Sequence, residues 1–141
     1  MSRTALLLLG IFLLGGCATA RSLDDTRLKA PDRVVSDTYA FAFDEVYRAA
    51  RQSVLDLEFV VERELPQEGK IYAKTAPNMA KVLIYKTGFG ERVGVYVTAL
   101  GERQTKVEVA TQKSNRLEVG FRDYRRVILK LIRARLEGNK A

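Results

Sequence analysis

The sequence predicts an α+β domain: one antiparallel sheet of about six strands, with two helices packed on one of its faces. Three observations carry this. Six short segments between residues 38 and 111 read as strands, most of them alternating apolar and polar residues. Breaks rich in Gly and Pro separate the later segments, and short connections make consecutive strands antiparallel neighbours. Two longer stretches, near the two ends of this region, place their apolar residues at helical spacing. The predicted order is strand, helix, five strands, helix.

Two segments precede the domain. Arg3 is followed by an apolar run, Ala5 to Leu14, and then by small residues. This is the pattern of a secretory signal peptide, and the run is too short to span a bilayer, which takes about 20 apolar residues. Leu14-Gly15-Gly16-Cys17 resembles the lipobox of bacterial lipoproteins. That resemblance implies cleavage between Gly16 and Cys17 and acylation of Cys17, the chain's single cysteine. Residues 1–16 are then a signal peptide. Residues 17–37 are polar and charged, contain Pro31 and show no apolar periodicity, so they read as an acylated cysteine and a flexible tether. Ala18 stands where an aspartate would imply retention at the inner membrane in enteric-type lipoproteins. The resemblance therefore implies the periplasmic face of the outer membrane.

The single domain is predicted over residues 38–141. Thr38–Phe43 alternates, with Tyr39, Phe41 and Phe43 on one side. Asp44-Glu45 opens a helix running to about Leu57, its acids in the first turn where the helix dipole favours them. Val46, Ala50, Ser53, Val54 and Leu57 share one face of that helix, with Tyr47 at its edge. Strands follow at Glu58–Glu64, Lys70–Thr75, Lys81–Thr87, Arg92–Leu100 and Thr105–Thr111, with turns at 66–69, 77–78, 88–90 and 101–102. The clearest is Arg92–Leu100, where Val93, Val95, Val97 and Ala99 alternate with Arg92, Gly94, Tyr96 and Thr98. Phe121 to about Leu136 is the closing helix, with Phe121, Tyr124, Val127, Ile128, Leu131 and Ile132 on its buried arc. Arg125 and Arg135 fall inside that arc, so they either snorkel at its margins or meet acids on the sheet.

The stretch from Tyr39 to Ala50, with Leu57–Glu62 and Glu68–Tyr72, resembles the helix-grip domain of BamC (NlpB)-type lipoproteins. The likeness covers residues 37–137 and its motifs are structural. It implies the fold and a role as an accessory subunit of an envelope assembly machine. BamC-type proteins carry two such domains and a long N-terminal segment, whereas this chain has one domain and a short tether. No catalytic or ligand residue is implied.

The chain has no histidine, 24 basic and 17 acidic residues. Without His, and with its one Cys in the lipobox, it lacks the usual ligands of zinc, copper and haem and the commonest general base. No metal, cofactor or catalytic residue is expected. The carboxylate pairs Asp24/Asp25, Asp44/Glu45 and Glu62/Glu64 lie in no apolar setting that would raise one pKa, as glycosidase chemistry needs. An exported chain does not meet nucleic acid.

Two surfaces are candidates for contact. Residues 121–141 hold seven basic and two acidic residues, while residues 17–120 are nearly balanced at sixteen basic and fifteen acidic. Arg122, Arg126, Lys130 and Arg133 form a stripe suited to an anionic surface: lipid headgroups, peptidoglycan or an acidic envelope protein. If Ile71 and the valines of the later strands point inward, Tyr72 and Tyr96 point outward as a partly aromatic face open to a partner, joined by Leu83 and Tyr85 in one of the two registers of Lys81–Thr87, where Val82/Ile84 and Leu83/Tyr85 are equally apolar. The expected function is a non-enzymatic, membrane-anchored binding or accessory module. The alternative is a lipid- or small-ligand-binding module with a groove between helices and sheet.

Overall fold

The computed structural model describes residues 23–75, 91–112 and 123–138. Residues 23–29 are helical, α1. A 3-10 turn at Pro31–Arg33 leads into strand β1, Val34–Tyr39. Helix α2 spans Phe43–Asp56. Strands β2, Phe59–Leu65, and β3, Lys70–Thr75, are joined by a 3-10 turn at Pro66–Glu68. Strands β4, Arg92–Gly101, and β5, Gln104–Gln112, form a hairpin, and helix α3, Tyr124–Gly138, follows. The sheet order is β1-β5-β4-β3-β2, with every pair antiparallel. The strand before α2 and the strand after it lie on opposite edges, so α2 crosses the sheet.

The fold differs from the expected one in three ways. Among the described residues the sheet has five strands, and the segment Lys81–Thr87 lies outside them. Among the described residues there are three helices, not two, and the additional one, α1, packs on the opposite face from α2 and α3. Residues 23–37 belong to the fold rather than to a tether. The physical reason is on the sheet: Val34, Tyr72, Tyr96 and Ala110 would leave apolar surface in water, and Leu23 packs against them.

The first strand also starts earlier than its aromatic alternation suggested. Val34 and Val35 pair with Ala110 and Val109, and Tyr39 ends the strand opposite Thr105. The chain then bends, and Phe43 is already the first residue of α2. Ala42 at the N-cap position has no side-chain oxygen, so only half of a capping box forms: the Ala42 amide donates to Glu45 Oε2 at 3.2 Å.

The core lies between α2, α3 and the inner sheet face. Val46, Ala50 and Val54 from α2 meet Ile71, Val93, Val95, Val107 and Val109 from the sheet and Ile128 and Ile132 from α3. Each of these is at most 1% exposed. Ser53 is buried among them with its hydroxyl donating to the Ala49 carbonyl at 2.7 Å. Tyr39 Oη donates to the Leu129 carbonyl at 3.0 Å, tying β1 to α3. Arg135, one of the cations expected inside the apolar arc, pairs with Asp56 at the end of α2, so it meets its acid on a helix and not on the sheet. Arg125 pairs with Asp123 and donates to the Arg33 carbonyl at 2.8 Å.

One glycine is required by the turn between β2 and β3. Gly69 has φ +65°, and its carbonyl accepts from the Val97 amide at 2.7 Å. A Cβ there would stand 2.1 Å from the Val97 carbonyl oxygen.

Candidate functional site

The outer face of the sheet is built from the residues that alternate with the core set. Arg63, Tyr72, Gly94, Ala110 and Val34 stand side by side across the five strands, with Leu65, Lys70, Tyr96, Glu108 and Ser36 in the next row. Gly94 and Ala110 leave a low patch between the larger side chains on this face. A Cβ at Gly94 would lie 2.8–3.1 Å from the Tyr96 ring and hydroxyl, so the absence of a side chain lets that ring lie along the sheet. Tyr72 and Tyr96 meet edge to face, centroids 6.1 Å apart.

Helix α1 closes this depression. Leu23 is 1% exposed and packs with Tyr72, Tyr96 and Ala110, flanked by Val34 and Leu65. Asp24 accepts from Tyr72 Oη at 2.8 Å and lies 3.8 Å from Lys70 Nζ. Arg27 stacks over the Tyr96 ring, 4.6 Å from its centroid, and donates to Glu108 Oε2 from Nη2 at 2.6 Å and from Nε at 3.1 Å. Lys106 Nζ is 3.1 Å from the other oxygen of Glu108. Burial first, and the Asp24 carboxylate second, push both phenols well above the ordinary tyrosine range. Burial pushes Glu108 upward too, but hydrogen bonds from Arg27 and Lys106 outweigh it and hold the carboxyl below its usual value.

This overturns the expectation of an open aromatic face. Tyr72 and Tyr96 do point to the outer side, but they are 3% and 2% exposed, covered by the chain's own α1. Leu83 and Tyr85 lie outside the described residues. Sequence reasoning missed Leu23, Asp24 and Arg27 because residues 23–29 are mostly polar. A signal was present. Asp24 and Asp25 precede Arg27 and Lys29, the charge order a helix dipole favours, and Pro31 follows.

The basic stripe sits on α3, on the other side of the molecule. Arg126, Lys130 and Arg133 are exposed, and Arg122 lies outside the described residues. Two of the three have acidic neighbours. Arg133 pairs with Asp37 at 2.5 Å and stacks on Tyr39, 5.4 Å from the ring centroid. Arg126 is 3.8 Å from Asp123. A surface groove of about 240 Å³ opens beside Arg133, lined by Tyr39, Phe41, Leu136 and Glu137. It opens at the surface between the last turns of α3 and the end of the edge strand β1.

The carboxylate pairs are divided among separate structural contacts. Glu45 caps α2. Glu64 pairs with Arg51 and accepts from Tyr47 Oη at 3.0 Å. Glu62 pairs with Lys74 at 2.8 Å. The carboxyls with a clear shift besides Glu108 move the same way. Hydrogen bonds from Arg125 lower Asp123, and those from Gln52 and Arg135 lower Asp56. No cluster of three or more metal-ligating side chains occurs among the described residues. No helix among them is long and apolar enough to cross a membrane. Gly16 and Cys17 lie outside the described residues. Comparison with models of known protein families and with curated proteins finds no match to this chain.

Proposed function

We propose that this chain is a non-catalytic accessory module of the bacterial cell envelope, lipid-anchored through Cys17 in the periplasmic leaflet of the outer membrane. The observation that carries this reading is Leu14-Gly-Gly-Cys17 directly behind a basic start and an apolar run. The domain's interior supports a role by contact. Among the described residues the buried side chains of α2, α3 and the inner sheet face pack against one another, which favours binding at a surface over capture of a lipid or small ligand in a groove. The surface offered to a partner is the α3 stripe around Arg126, Lys130 and Arg133, which suits an anionic partner such as peptidoglycan or an acidic envelope protein.

Cys17→Ala tests the anchor: fatty-acid labelling and membrane association should both be lost, and their persistence refutes it. Charge reversal at Arg126, Lys130 and Arg133 tests the surface. Crosslinking in intact cells, followed by recovery of the tagged protein, should capture a partner that the reversed variant does not. Equal capture by both forms removes the stripe from the reading.

A further inference from the structure

We propose that α1 sets which side of the domain faces the anchoring bilayer. Its outer surface, carrying Leu28 and Lys29, lies against the phospholipid headgroups, and the α2–α3 layer points away. This rests on the reading of Cys17 as the acylated residue.

The first ground is length. Leu23 is seated on the sheet, so the leash to Cys17 is six residue steps, which span at most roughly 20 Å whatever their conformation. Were α1 undocked, the leash would run to Val34 and reach roughly 60 Å. The seat of Leu23 is on the outer sheet face, and α3 is on the other. Helix, sheet and helix stack to about 30 Å. The short leash therefore holds the outer side near the membrane and keeps the outer surface of α3 from it.

The second ground is what α1 presents. Leu28 is 75% exposed, the most exposed large apolar side chain among the described residues. It stands between Arg27, which grips the sheet, and Lys29, whose side chain is 74% exposed in a solvent-facing pair with Asp25. An isolated leucine beside a lysine, next to a membrane anchor, matches the chemistry of the headgroup boundary: the apolar group enters the interface and the cation meets phosphate. The α3 stripe then faces the compartment, and its anionic partner is not the bilayer that holds Cys17.

The test uses the full acylated protein in vesicles of phosphatidylethanolamine and phosphatidylglycerol. Acylation blocks the chain's single cysteine, so Leu28→Cys and Lys130→Cys variants take one fluorophore each. A headgroup-attached nitroxide lipid should quench the probe at position 28 several-fold more strongly than the probe at 130. Adding Leu23→Asp should release α1 and bring the two values together. Arg27→Gln with Asp24→Asn should narrow the gap in the same direction, should Leu23→Asp leave the domain unfolded by circular dichroism. Equal quenching at both positions, or stronger quenching at 130, overturns the proposal. Shielding at 28 that follows protein density instead of the nitroxide lipid marks a contact with a second copy and also overturns it. Protein that fails to float with the vesicles at all refutes the lipid anchor instead, and flotation reports that separately.

Discussion

Replacing Leu23 with alanine should loosen α1 from the sheet at a cost of about 2 kcal/mol. Truncating a buried leucine costs about 2–5 kcal/mol, the upper values arising where the surroundings cannot relax into the void. Leu23 is 1% exposed, yet its helix lies at the margin of the domain. It can lift away instead of leaving a cavity, which places the cost at the low end. The other contacts do not replace it. The Tyr72–Asp24 hydrogen bond at 2.8 Å and the Arg27–Glu108 pair at 2.6 Å are only partly buried, and contacts of this kind contribute about 1 kcal/mol each. The assay is equilibrium urea unfolding, with amide hydrogen exchange followed over residues 24–30. The variant should lose its exchange protection there, while β4 and β5 change only as far as global stability does. Leu28→Ala is the matched control: one turn-neighbour away and 75% exposed, it should cost less than about 0.5 kcal/mol. Equal costs for the two variants, or wild-type amides at 24–30 exchanging as fast as free chain, would refute the docking.

Three further outcomes are expected. Gly69→Ala should lower stability by about 3 kcal/mol or more, through positive φ and collision with the Val97 carbonyl; Gly138→Ala, with open space around it, should leave the melting temperature nearly unchanged. Burial raises Tyr39, Tyr47, Tyr72 and Tyr96 above the ordinary value of 10.0, so the stability tied to their protonated forms is complete below pH 10 and falls as pH rises beyond it. Tyrosinate absorbance from these four should appear together with unfolding, and independent titration near pH 10 in the folded protein would contradict their burial. Glu108 is held below its ordinary value of 4.5, so its contribution is present above that pH and is lost as pH falls through the lowered value. Protection of α1 should weaken in that acid range, and Glu108→Gln should flatten the dependence; identical acid profiles for the two proteins would dismiss the Arg27 latch.

How much of this was legible depended on how local the cause was. In β4 the alternation of Val93, Val95 and Val97 with polar and small residues shows the pleat directly, because one face of the strand meets the core. In α2 the spacing of Val46, Ala50, Ser53 and Val54 shows its buried side for the same reason. The sequence reading placed Tyr72 and Tyr96 on the side away from the helices, but their exposure does not follow from that. Their cover comes from Leu23, Asp24 and Arg27, and the Tyr72–Asp24 and Glu108–Arg27 contacts join residues 48 and 81 positions apart. The start of β1 was misjudged because Tyr39, Phe41 and Phe43 keep an aromatic alternation through a bend that pairing with β5 and the first turn of α2 impose.

The amino-acid order by itself determined the alternating strands and the two amphipathic helices, and it displays the Leu14–Cys17 motif on which the proposed function rests. These depend on short-range periodicity and short motifs, which a linear chain displays. Only the tertiary structure decided that residues 23–29 are a helix and that a depression floored by Gly94 and Ala110 receives Leu23. The segment 23–29 is mostly polar and shows little apolar periodicity of its own. It becomes ordered only once strands distant in sequence have assembled the surface that buries it.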